Sequence, residues 1–450
     1  MARVLVSAYS NVTWTNERLH DSFVAGLIRS LQRNGNEVLV VRTNEFLVDQ
    51  TSSASRPWMS PRTIVSKIKS FDPELIITFN NSLPSEDVIK ETNCPILLYA
   101  SDAPAFFVAR HLIEHNPDRY FFLELSDKVT AALKRVYPQI APSHYIPFGH
   151  ATDLRAESLE QDISISFVGS IGNYSTGVVN YFKSFDSIGN DPGSSINPNE
   201  LKDEFFKQLD EFRKDSMSDF GFDFPNGAAV ANPEPQLILM LTCKQRFDTL
   251  KAVSDLGLKI FGFPSSWSQI LQYDFELFRC FDYSLNVSLD HATSTYNRSQ
   301  ISMNLPHGQT TEGFSWRVCE ILASNGVLLS NKKQDLIDLM SGFANLPTYE
   351  SPAEARELAK KLLDEPNWRA DLSAASKAMI EVKCRFETKF KEIENRIAGI
   401  SLLLGDSTGS VKVLEEMSCV NPIKFAFRFR RDLAKLGMLC GEMRKNGVLL

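Results

Sequence analysis

The strongest chemical signal in the chain is a pair of carboxylates, Glu312 and Glu320, in the stretch His307–Asn331 that reads HGQTTEGFSWRVCEILASNGVLLSN. The stretch opens in turn-forming residues, passes a Gly313-Phe314 step, and runs into an apolar-periodic helix stopped by Gly326. A short apolar strand, Val327-Leu328-Leu329, follows. A helix start presents unpaired main-chain N–H groups and the positive end of a dipole, which suits a phosphate or an oxyanion. One carboxylate before the helix and one two turns into it can each accept hydrogen bonds from hydroxyls of a single polyol. Loop, helix, glycine stop and buried strand together form a βα unit of a parallel sheet with a ligand at its turn. The plain alternative is an amphipathic helix carrying two solvated glutamates.

The elements that must position this unit are legible on both sides of it. From the first residues, strand and helix patterns alternate: strand Arg3–Ala8, helix Asp21–Asn34 stopped by Gly35, strand Glu37–Arg42, helix Pro61–Ser70, strand Leu75–Phe79. The rhythm continues through strands Pro95–Ala100, Tyr120–Leu125 and His144–Pro147, with helices between them, to about residue 155. Such alternation predicts βαβ units and a parallel sheet. The loop Tyr9–His20 lacks a GxGxxG fingerprint, so a dinucleotide is not expected there. Asp102 follows the buried strand ILLYA and precedes Pro104, a place from which it either points into a cleft or caps the next helix.

The pattern resumes with the strand Asp162–Gly169, where Gly169 lets the backbone approach a ligand closely. Residues 186–235 interrupt it with many Gly, Pro, Asn and Ser around one charged helix, and read as an insertion. A helix Thr242–Leu256 and a strand Leu258–Phe263 come next, with Arg246 near the helix start and Lys244 as the reserve cation for an anion. No DxD or Asp/His cluster of ligand spacing stands out, so neither a catalytic metal nor a cofactor is expected.

These residues resemble the nucleotide-sugar segment of retaining GT-B glycosyltransferases: Glu312, Gly313-Phe314, seven residues on to Glu320, then Ala323 and Gly326. More narrowly, Arg317 and the Asn-bearing run Tyr296–Asn304 are similar to the spore-maturation CgeB-like branch, as are the Asp-x-Pro at Asp102 and the segment Pro147–Asp153 with His150. Ser324-Asn325-Gly326 departs from that branch, which more often has a small residue followed directly by Gly. The resemblance implies an α/β chain of two Rossmann-like domains facing across a cleft, with a C-terminal helical extension. It would divide into an acceptor-side domain (1–155), a nucleotide-sugar domain (156–383), a crossing helix and linker (384–420), and a tail (421–450).

By the same resemblance, Glu320 takes ribose hydroxyls and Glu312 the donor sugar. Gly169, Gly313, Phe314, Ser315, Arg246, Arg317 and Asn304 line the donor site, and Asp102 or His150 handles the acceptor hydroxyl. The implied activity is metal-independent, hexosyltransferase-like transfer from a nucleoside-diphosphate sugar to a glycan or glycolipid, with retention, in surface polysaccharide synthesis. A nucleotide-sugar epimerase and a non-catalytic partner- or glycan-binding module are the alternatives on the same fold.

The bulk properties bound the rest. A length of 450 residues with 43% hydrophobic and 23% charged residues suits two globular domains plus extensions. The net charge of −7 argues against a nucleic-acid partner. Seven scattered cysteines without a CxxC pair read as reduced thiols of a cytoplasmic protein, not a disulfide framework or a zinc site. The tail carries Lys424, Arg428, Arg430, Arg431, Lys435, Arg444 and Lys445 against Asp432 and Glu442. At helical spacing, Phe425, Phe429, Leu433, Leu436, Cys440 and Met443 share one face beside the cations. Such a basic amphipathic helix either lies peripherally on an anionic membrane face or docks on the protein's own acidic surface.

Overall fold

The structure, a computed structural model, describes residues 2–9, 11–12, 18–43, 61–101, 107, 109–171, 200, 207, 233–262, 267, 274–282, 284, 288–307, 313–405 and 408–415. The first half builds β1 (Arg3–Tyr9), the hairpin β2 (Asn11–Val12) and β3 (Arg18–Leu19), α1 (Ser22–Arg33), β4 (Glu37–Thr43), α2 (Pro61–Phe71) and β5 (Leu75–Phe79). It continues with α3 (Asp87–Glu91), β6 (Ile96–Tyr99), α4 (Arg110–His115), β7 (Tyr120–Glu124), α5 (Asp127–Val136) and β8 (Tyr145–Pro147). The second half holds β9 (Ile163–Val168), α6 (Pro233–Ala252), β10 (Leu258–Phe261), α7 (Phe275–Cys280), β11 (Phe281–Asp282), α8 (Leu289–Arg298) and β12 (Ser299–Asn304). Then come α9 (Trp316–Leu322), β13 (Val327–Asn331), α10 (Gln334–Met340), β14 (Thr348–Tyr349), α11 (Pro352–Asp364), α12 (Pro366–Lys383), α13 (Phe386–Arg396) and β15 (Val411–Glu415).

Among the described residues the strands form two parallel sheets, ordered β15-β4-β1-β5-β6-β7-β8 and β11-β10-β9-β12-β13-β14. Both are buried on two faces, which explains continuous apolar runs such as LIITF in β5 and ILLY in β6. In the first sheet, Val4, Val6, Val38, Val40 and Ile77 pack on α1 and α13, while Leu5, Leu39, Val41 and Ile76 face α2, α3 and α5. In the second, Phe167, Ile260, Met303 and Leu329 pack under α6 and α11, and Val168, Phe261 and Leu328 under α9 and α12. Adjacent residues of one strand thus serve opposite layers, as the two-residue period of a strand requires.

Local signals set the helix ends. Asp21 caps α1 by accepting from the Val24 amide at 3.0 Å, and Gly35 leaves the helix at φ 84°. Ser126 caps α5 in the same way. Some boundaries differ from the sequence expectation. The helix expected at Thr242–Leu256 runs Pro233–Ala252, and the run Tyr296–Asn304 is the end of α8 followed by β12. The helical run from Cys384 stops at Arg396, short of Gly399 with φ 81°. Beyond it the chain forms β15, an added edge strand paired with β4 from Val411↔Val38 to Glu415↔Arg42.

The chain passes twice between the sheets, and the two passages lie side by side. Thr152 bridges Arg385, and the Thr152 amide donates to the Cys384 carbonyl at 2.9 Å. The Arg385 guanidinium, 6% exposed, donates to the Thr152 and Leu154 carbonyls at 3.2 and 2.6 Å. Past this point α13 packs Phe386, Phe390 and Ile393 into the first sheet's core. The insertion between 186 and 235 falls mostly outside the described residues, and the tail 421–450 lies wholly outside them. Among the described residues no helix is long and apolar enough to cross a membrane.

Candidate active site

The second sheet changes direction of growth between β9 and β12: β10 and β11 extend one side of β9, and β12, β13 and β14 the other. A crevice opens at the carboxyl ends of the strands at such a point, and open α/β sheets bind ligands there. Three features meet at this crevice.

Arg246 ties its two walls together. Its Nη1 donates to the Ser170 carbonyl beyond β9 at 2.7 Å, and its Nε to the Leu305 carbonyl beyond β12 at 3.1 Å. The residue is 8% exposed, so its charge is held close under the crevice floor. Burial, with Arg246 nearby, pushes the His307 imidazole down to about 3, so that ring is neutral.

Close backbone packing shapes the second feature. The Gly169 amide donates to the Phe261 carbonyl at 2.8 Å, and its carbonyl accepts from Trp267 Nε1 at 2.8 Å. A Cβ on the neighbouring Gly262 would stand 2.3 Å from the Gly169 oxygen, so the turn after β10 admits only glycine here. Gly169 also faces a cation, since a Cβ there would lie 3.5 Å from Arg317 Nη2.

The third feature is α9. Arg317 and Glu320, one turn apart, share its face. Glu320 is 2% exposed and accepts a hydrogen bond from the Ser22 hydroxyl at the start of α1 in the first domain. Burial pushes its carboxyl up to about 7, against the opposing pull of the Ser22 hydroxyl and Arg317, and Asp21 adds to the rise. Asp21 itself is raised to about 6 by burial, opposed by the Val24 and Phe23 amides and by Arg317. Burial raises the Tyr296 phenol, and the nearby Arg317 charge opposes that rise. One cation, Arg317, therefore acts on two enclosed carboxyls, one from each domain.

The approach to α9 is built by residues of both domains. Gly313 has φ 82°, and a Cβ on it would meet Ser126 Oγ at 3.8 Å. Ser315 precedes the helix, and its hydroxyl donates to Asn304 Oδ1 at 3.3 Å. Asn304 is 2% exposed and gives its amide hydrogen to Ser330 Oγ at 3.0 Å, so its polar atoms brace the loop from below. Phe314 lies 5.1 Å from the His150 ring, and Trp316 stacks on Phe23 at 5.1 Å. His150 is buried and bonded to the Tyr99 hydroxyl at 2.6 Å.

Of the residues singled out from sequence, Gly169, Arg246, Asn304, Gly313, Phe314, Ser315, Arg317 and Glu320 all lie at or beside this crevice. Glu312 and Asp102 lie outside the described residues. The sequence reading missed Asp21, Ser22, Tyr296 and Tyr99. Asp21-Ser22 at the head of an amphipathic helix was readable as a cap, but nothing in the linear order tied it to Glu320, 298 positions away.

Comparison with known proteins agrees with this architecture. Residues 244–395 match the sequence pattern of a family described as glycosyl transferase-like. No curated protein matches the chain. Sucrose-phosphate synthase from Thermosynechococcus elongatus is similar in structure, with TM-score 0.51 at 12% identity over 88% of this chain and 98% of that one. WaaG, a glycosyltransferase involved in lipopolysaccharide biosynthesis, aligns with TM-score 0.47 at 10% identity over 88% of this chain and 100% of its own. Anabaena HepE, solved with UDP and glucose, aligns with TM-score 0.44 at 9% identity over 88% and 99%. The chain has the GT-B glycosyltransferase fold, and its second domain carries a glycosyltransferase-like sequence.

Proposed function

We propose that the chain is a retaining glycosyltransferase, akin to the CgeB-like branch, that moves a sugar from a nucleoside-diphosphate donor to a hydroxyl of a glycan or glycolipid. The observation that carries this reading is the crevice at the β9/β12 switch, where Arg246 pins both walls beside Gly169, Arg317 and Glu320. Departure of a diphosphate develops negative charge on its oxygens, and preorganised donors aimed there lower the barrier. Arg317, the cation of Arg246 and the Gly313–Ser315 amides are those donors, and no metal is required. Glu320 accepts the ribose hydroxyls, Glu312 those of the transferred sugar, and Asp102 orients the acceptor. Ribose binding exchanges the Ser22 hydroxyl on Glu320 for ribose hydroxyls. Hexosyl transfer in surface polysaccharide synthesis, with the basic tail at the inner membrane face, completes the proposal.

Calorimetric titration of UDP, GDP, ADP, CDP and CMP into the wild-type protein and Glu320→Ala tests it. One nucleotide is expected to bind at micromolar strength, with a loss in the variant of roughly 1–3 kcal/mol for the unmade charged hydrogen bonds. Well-folded wild-type protein that binds none of them overturns the donor site. Release of free nucleotide from a nucleotide sugar without any acceptor would instead favour an epimerase.

A further inference from the structure

The loop leading into α9 belongs by sequence to the second domain, yet residues of the first domain hold it. Gly313 sits against Ser126, Phe314 against His150, and Trp316 against Phe23 and, at 6.2 Å, Tyr99. One polar connection runs through these contacts. The Tyr99 hydroxyl and His150 Nδ1 are 2.6 Å apart, with Tyr99 1% and His150 8% exposed. The same imidazole sets its ring 5.1 Å from the Phe314 ring, so the Tyr99 hydroxyl holds the side chain against which the loop rests. The contact therefore runs from the end of β6, through the interdomain linker, to the loop of the opposite domain.

We propose that Tyr99 and His150 are a positioning pair that fixes the Gly313–Ser315 main chain, so that the amides facing the donor are aimed by the first domain. The pair deepens the donor-site reading above and rests on it for its catalytic meaning. It also gives His150 a role other than accepting a proton from the acceptor hydroxyl, since Nδ1 is engaged with Tyr99 inside the protein. Burial lowers its pKa to about 4, with Lys389 adding to the fall, so the ring meets Phe314 uncharged. The geometry also couples the two domains. When the first domain swings away from α9, the loop loses its anchor and its amides lose their aim.

The test uses the full chain with Tyr99→Phe, His150→Leu and His150→Asn. Hydrogen exchange is read over 313–322, alongside thermal unfolding and binding of UDP, GDP, ADP and CDP. Tyr99→Phe keeps the ring packing and removes only the hydroxyl, so exchange at 313–317 is expected to rise about three- to tenfold, the worth of one buried hydrogen bond. Peptides of β9, β10 and β13 are expected to stay unchanged. His150→Leu and His150→Asn both remove the ring beside Phe314 and are expected to match or exceed that rise. Nucleotide affinity is expected to weaken by a similar factor in the first two variants. Unchanged exchange at 313–317 in both Tyr99→Phe and His150→Leu overturns the proposal, and so does an increase spread evenly over both sheets. A local exchange effect in a wild-type background that binds no nucleoside diphosphate upholds the positioning pair and overturns the donor-site reading instead.

Discussion

Glu320→Gln is expected to make the protein more stable at alkaline pH and, on the proposed function, to weaken its hold on a nucleotide. The folded-state carboxyl is raised from 4.5 to about 7, chiefly by burial. Between those values the folded chain binds a proton that the unfolded chain has released, so stability falls as pH rises. The full loss is about 3 kcal/mol, from roughly 2.5 pKa units at about 1.4 kcal/mol each. It is complete above the folded pKa and absent below the unfolded one. Gln keeps the shape and the acceptor for the Ser22 hydroxyl but carries no charge to bury. Relative to wild type, it should therefore gain about 2–3 kcal/mol between pH 5 and pH 8.5. Denaturant unfolding of both proteins at the two pH values measures the difference. A gap between variant and wild type that does not change with pH, or that closes as pH rises, refutes the reasoning.

Gly262→Ala places a Cβ 2.3 Å from the Gly169 oxygen and is expected to displace the turn after β9. Nucleotide affinity should fall at least about tenfold, from misaligned hydrogen bonds, and an unchanged affinity would exclude Gly169 from the site. Phe390→Ala, in the helix after the second crossing, should cost about 3–5 kcal/mol, read by unfolding of the first domain, because the ring is fully buried in that domain's core. A loss under about 1 kcal/mol would mean the helix merely rests there. Transfer activity is expected to persist in excess EDTA, and activity abolished by chelation and restored by magnesium would reverse the metal-independent reading.

The alternation of strand and helix was legible because parallel strands buried on both faces leave unbroken apolar runs, and LIITF and ILLY can be little else. The βα unit around α9 was legible for the same reason, together with the Gly326 stop. A Cβ at Gly326 would meet the Tyr296 and Ser299 carbonyls at 2.9 and 3.0 Å, a constraint the sequence shows only as a glycine. The partners of Glu320 were not legible, because Ser22 reaches it only when two separately folded sheets come together. β15 escaped for a different reason: VKVLE is short and follows a glycine-containing stretch, and only the vacant edge of β4 gives it a strand's hydrogen bonds. His150 was visible as a residue but not as a support for the loop, since its partners come from β6 and from the loop before α9.

The return of the chain to its first domain has a consequence for biosynthesis. The core layer over β1, β4 and β5 includes Phe386, Phe390, Ile393, Ile397 and Leu402, and the sheet's outer edge is β15. A ribosome has therefore made the whole second domain before the residues that complete the first one emerge. Until then the nascent first domain carries an uncovered apolar face and an open strand edge, the features that recruit chaperones or drive aggregation. The first domain to be translated is the last to be finished.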